Sequence, residues 1–130
     1  MNSKSILIVS GEPNSIFLEI YFKILKFKKI KSPLILISSE KLLRLQMRKL
    51  KFKKKINILN FSSLDQYNLD NKSINLIDVK YNPTKAFEKV SKKSNSFIMK
   101  YFDIAFPVDI VLTYLFFWMS LKHTCWSKLA

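Results

Sequence analysis

The sequence predicts an α/β fold, a partial three-layer sandwich on a largely parallel sheet. Two observations carry this. The segments Ile6 to Ser10 and Leu34 to Ile37 are short, nearly unbroken apolar runs rich in β-branched residues, as strands covered on both faces require. Each is followed by a stretch whose apolar residues recur at three- and four-residue spacing, so strand and helix alternate. A chain of 130 residues, 48% of them hydrophobic, can bury a real core.

Gly11 ends the first strand, because glycine takes a positive φ without steric cost. Pro13, Asn14 and Ser15 then supply the fixed φ and the side-chain acceptors that open helices. The helix is expected from about Asn14 to Lys28, with Ile16, Phe17, Ile20, Tyr21, Ile24 and Leu25 on its inner face. Lys26, Lys28, Lys29 and Lys31 suit the carbonyl end of its dipole, and Pro33 forbids its continuation. After the second strand, Ser38 or Ser39 caps a helix carrying Leu42, Leu43, Leu45, Met47 and Leu50.

Ile56 to Leu59 reads as a third strand and the polar stretch Phe61 to Lys72 as a loop. Ser73 to Val79 alternates apolar and polar residues, as an edge or half-covered strand would. Asn82-Pro83 marks a further helix start, with Phe87, Val90 or Ser91, Ser94, Ile98, Tyr101 or Phe102, and Ala105 as its inner stripe. Asp65, Asp70 and Asp78 are too scattered to be read as a metal site.

The first turn carries a resemblance. Ser10-Gly11-Glu12-Pro13, followed by Ile16 and Glu19, resembles the opening motif of the 4-hydroxythreonine-4-phosphate dehydrogenases, whose chains begin with a strand and Gly-(Asp/Glu)-Pro-Ala-Gly-Ile-Gly-Pro-Glu. Gly11, Glu12, Pro13, Ile16 and Glu19 agree, while Asn14, Ser15, Phe17 and Leu18 stand where the family has Ala, Gly, Gly and Pro. The order of elements up to Ala105 also follows the family. The resemblance implies an isopropylmalate dehydrogenase-like N-terminal portion, NAD-dependent oxidation and decarboxylation of a small phosphorylated substrate, a divalent metal acting as Lewis acid, and a homodimer. It also implies that the family's metal and substrate ligands fall outside this chain. No catalytic or metal residue is therefore assigned, and this fragment is expected to hold neither NAD nor metal. Gly11, Glu12, Pro13 and Glu19 are the cofactor-adjacent candidates, and inactivity of the chain alone is the expectation.

The formal charge of +14 invites a nucleic-acid or membrane-surface reading, strongest at Lys49 to Lys55. Heavy use of Lys, Ile, Asn and Phe with one Gly is the usage of an AT-rich genome, in which lysine fills solvent positions by default. The basic run is accordingly expected to be a solvated turn without a specific nucleic-acid partner. A small basic binding module, for nucleic acid or a membrane surface, stands as the second reading. The lone Cys125 permits no internal disulfide, and no signal-peptide pattern opens the chain, so the expected location is cytoplasmic.

Composition changes after Phe106. Trp118, His123, Cys125 and Trp126 are the chain's entire Trp, His and Cys content, and no lysine lies between Lys100 and Lys122. Residues 1–106 are read as the dehydrogenase-like portion. Residues 107–130 are read as an apolar tail, either a frameshift product or an anchor, with Asp103, Pro107 and Asp109 arguing against a membrane span.

Overall fold

The computed structural model describes residues 5–89 and 93–105. Four strands, β1 (Ile6–Val9), β2 (Leu34–Ser38), β3 (Ile56–Ile58) and β4 (Ile74–Asp78), form an all-parallel sheet in the order β1-β2-β4-β3. The helices are α1 (Phe17–Phe27), α2 (Glu40–Lys49) and α3 (Lys93–Ala105), with 3-10 turns over Phe61–Gln66. The α/β architecture and the pairing of the first two strands across one helix are as predicted. Ile6 opposes Leu34 and Val9 opposes Ile37.

The period of two along β2 divides the core. Leu34 and Leu36 pack with Leu18, Phe22, Leu42 and Met47 on the α1/α2 face. Ile35 and Ile37 pack with Phe97, Tyr101 and Ala105 on the α3 face. The connections β1-α1-β2 and β2-α2-β3 progress one way across the sheet with their helices on one face. The return from β3 to β4 runs the other way, and its Phe61 and Leu64 lie against the opposite face. Right-handed crossovers demand that change of face.

Four expectations are corrected. Ser73 to Val79 is no edge strand: β4 lies between β2 and β3, with Ile74, Asn75, Leu76 and Ile77 buried. Its alternation misled because buried Asn75 is polar yet satisfied, donating to the carbonyls of Leu34 (3.0 Å) and Asp70 (2.7 Å). The stretch Phe61 to Lys72 is not all loop, since Asn60 caps the 3-10 turns by accepting from the Ser62 N–H. No helix starts at Asn82-Pro83. Residues 82–89 are irregular, the described helix is Lys93–Ala105, and Phe97 rather than Ile98 is buried there. The first helix begins at Phe17, not Asn14, and buries Leu18, Tyr21 and Phe22, while Ile16 is 59% exposed and Ile24 38%. Phe17 to Leu25 contains two overlapping apolar stripes, and packing against α2 and the sheet chose between them. The readings of Val90, Ser91 and the 107–130 tail fall outside the described residues.

Candidate functional site

β2 leaves its carboxyl end for α2 on one face, and β4 leads to α3 on the other. Neighbouring strands whose connections part in this way open a crevice at their carboxyl ends, the usual ligand position in open α/β sheets. The β1-α1 turn stands on the same edge. Gly11 has φ 64°, the left-handed conformation expected of it. Glu12 is half-buried, accepting from the Asn14 N–H (3.3 Å) through its carboxylate and from the Ser15 N–H (3.1 Å) through its carbonyl. Ser15 Oγ accepts from the Phe17 N–H (3.3 Å) at the start of α1.

The turn is tied to two other elements by Gln46, which sequence reasoning passed over, and by Asn14, which it had read as a helix-opening acceptor. Gln46 of α2 is fully buried, and its Nε2 donates both to the Pro13 carbonyl (3.0 Å) and to the Ala86 carbonyl (3.0 Å). Asn14 Oδ1 accepts from the Glu88 N–H (3.0 Å). The 79–89 loop is anchored further by Ser39 Oγ donating to the Tyr81 carbonyl (3.3 Å) and Lys41 Nζ donating to Asn82 Oδ1 (3.3 Å). Asp78 at the end of β4 accepts from the Glu40 N–H (2.8 Å), supporting the N-terminus of α2. A sequence signal for Gln46 existed: it is the polar residue inside the stripe Leu42, Leu43, Gln46, Met47, Leu50.

Charges of both signs stand at this edge, Glu12, Glu40, Asp78 and Glu88 beside Lys41, Lys80, Lys85 and Lys89. The Thr84 hydroxyl, then the backbone N–H groups of Thr84 and Lys85, hold the Glu88 carboxyl below its ordinary range. Burial raises the Tyr81 phenol against a lowering hydrogen bond from Asn14, and the charges of Glu88 and Glu12 raise it further. Tyr81 stacks on Phe97 at 4.4 Å, and Phe97 meets Tyr101 edge-on at 4.3 Å. Burial pushes the Tyr101 phenol upward, and the neighbouring Ser10, Ser38 and Ser39 groups offset it only in part. The hydroxyls of Tyr101, Ser10 and Ser38 lean together beneath the turn without closing a hydrogen bond of ordinary geometry.

Of the predicted site residues, Gly11, Glu12 and Pro13 come together in this turn. Glu19 does not join them: it sits on α1 and pairs with Lys23 at 2.8 Å. The turn is not a pyrophosphate cradle. The N–H groups of Asn14, Ser15 and Phe17 are already engaged by Glu12 and Ser15, and Glu12 adds a carboxylate to the turn. Among the described residues no three His, Cys, Asp or Glu side chains gather as metal ligands.

This topology has counterparts among solved structures. The 4-hydroxythreonine-4-phosphate dehydrogenase from Burkholderia phymatum superposes with a TM-score of 0.68 at 18% identity, over 81% of this chain and 32% of that one. The enzyme from Klebsiella pneumoniae gives a TM-score of 0.63 at 18% identity, over 76% and 31%. The chain shares the fold of these dehydrogenases. It spans about a third of their length, with coverages of 32% and 31%. No family model and no curated protein matches the sequence. Against the dehydrogenase fold, the first-turn resemblance and the order of elements up to Ala105 agree with the three-dimensional likeness. Among the described residues no helix is long and apolar enough to cross a membrane.

Proposed function

We propose that this chain is a truncated relative of the 4-hydroxythreonine-4-phosphate dehydrogenases, corresponding to the N-terminal portion of such an enzyme and without turnover of its own. The observation that supports the reading most is the combination of the shared fold with the Gly11-Glu12-Pro13 turn at the carboxyl edge of its first strand. In the whole enzyme the turn of Gly11, Glu12 and Pro13 would border the cofactor, with Gly11 shaping the backbone, while Glu19, paired with Lys23 on α1, would stand apart from it. NAD would supply hydride acceptance and a divalent metal would polarise the substrate oxygens. The engaged N–H groups of the turn argue that this chain holds no NAD by itself.

The test is an assay of the purified chain with NAD, a divalent metal and 4-hydroxythreonine 4-phosphate. No NADH should form. Metal-dependent NADH production by the chain alone would place an active site within these 130 residues and overturn the reading.

A further inference from the structure

The amino end of the sheet, opposite the Gly11 turn, carries a second concave surface. α2 ends there in a Schellman motif: the Phe52 N–H donates to the Met47 carbonyl (2.9 Å) and the Lys51 N–H to the Arg48 carbonyl (3.3 Å). Lys51 takes the left-handed position with φ 53°, where glycine is usual. The reversal lays Phe52 in the core cluster of Met47 and turns Lys53, Lys54 and Lys55 back toward Arg44 and Arg48. The result is a groove of about 730 Å³ with five cations on its walls and Met47 and Phe52 between them. No carboxylate lines it. Arg44 pairs with Glu40 at 2.7 Å, whereas among the described residues Arg48, Lys53, Lys54 and Lys55 have no acidic partner.

The groove belongs to a longer band. α1 and α2 lie on the same face and both run against the strands, so the Lys26 to Lys31 cluster ends on the same sheet edge. At the opposite edge Lys41, Lys80, Lys85 and Lys89 are matched by Glu12, Glu40, Asp78 and Glu88, so its charges balance. A band extending beyond one cavity fits a polymer of phosphates better than a single phosphate ester, and Phe52, half-buried and stacked on Phe22 at 4.7 Å, still lines the floor where an unpaired base would sit.

We infer that the groove at the carboxyl end of α2 binds single-stranded nucleic acid without regard to sequence. Its cations hold the phosphate backbone, and Phe52 with Met47 gives a base an apolar seat. The test is fluorescence anisotropy of the full chain with a labelled oligothymidylate of about 12 nucleotides, within the range of small single-strand sites. Two triple variants remove equal charge: K53Q/K54Q/K55Q from the groove, and K80Q/K85Q/K89Q from the far edge. The groove variant should weaken binding about tenfold and reduce the salt slope by about 2, at ~0.7 per lost phosphate contact. The far-edge variant should lose less than about threefold, and Phe52→Leu about fivefold with its salt slope unchanged. If the groove triple fails to fold, single Lys53→Gln and Lys55→Gln variants at exposed positions carry the same comparison, each losing about twofold. Equal losses from both triples would reduce the effect to general basicity and overturn the inference. So would duplex binding as tight as single strand, or displacement of the oligonucleotide by inorganic tripolyphosphate as effectively as by unlabelled strand.

Discussion

The side-chain amide of Gln46 donates to the carbonyl of Pro13 at 3.0 Å across 33 positions of sequence, and the same nitrogen reaches Ala86 at 3.0 Å. One buried amide thus fastens the β1-α1 turn and the 79–89 loop to α2. The Asn14–Glu88 and Ser39–Tyr81 hydrogen bonds add to this tie.

Replacing Gln46 by Leu keeps the bulk but strands two carbonyls. It should cost about 1–3 kcal/mol in urea unfolding, because the Pro13 carbonyl is left buried and unpaired while the Ala86 carbonyl is only partly buried and the unpartnered Gln46 Oε1 is removed. Amide exchange of residues 84–88 should quicken before global unfolding. A change below about 0.5 kcal/mol would show that the two loops hold themselves.

Asn71 plays the same part at the other edge. Its Oδ1 accepts from the Leu34 N–H (2.9 Å), and its Nδ2 donates to the Ile30 (3.0 Å) and Ser32 (2.8 Å) carbonyls. Asn71→Ala should lower stability by about 2–3 kcal/mol, and Asn71→Asp, which keeps the acceptor only, by a similar amount.

Lys51 in the left-handed position is the exposed counterpart of these constraints. Lys51→Gly should stabilise the fold by about 0.5–1 kcal/mol through relief of the Cβ clash, read as a rise in the urea midpoint without change of slope.

Tyr21 and Tyr101 are buried phenols whose folded-state pKa lies above the ordinary range, in both cases through burial first. Protonated in the fold and ionisable in the unfolded chain, they contribute stability that is fully present below the unfolded value near pH ~10 and lost as pH rises above it. Alkaline titration of the unfolding free energy should show this fall. Tyr101→Phe should remove part of it and be neutral or up to ~1 kcal/mol stabilising near neutrality, because the hydroxyl it deletes is unpaired.

Removal of residues 107–130 should raise solubility and leave the melting of the remainder unchanged or sharper, as expected if the fold is complete by Ala105. Unfolding of the shortened chain would make those residues part of the core, and the frameshift reading would fail with it.

What the sequence determined by itself is the periodic part. The apolar runs of β1 and β2, the Gly11 reversal, the Ser39 cap with its N–H acceptor role toward Leu42 (3.4 Å) and the stripe of α2 are local consequences of residue type, and all are in the structure. The central place of β4 was decided elsewhere. Asn75 makes that strand look half-exposed until the Leu34 and Asp70 carbonyls that satisfy it are brought alongside, from 41 and 5 positions away. The buried face of α1 was likewise open between two stripes until α2 covered one of them. The candidate site divides in the same way: the turn is legible because glycine and proline act on their own backbone, whereas Gln46 gains its role only from carbonyls that tertiary packing delivers. A buried polar side chain has no local signature of its partner, since the interaction that justifies it is made with a segment the pattern around it does not contain.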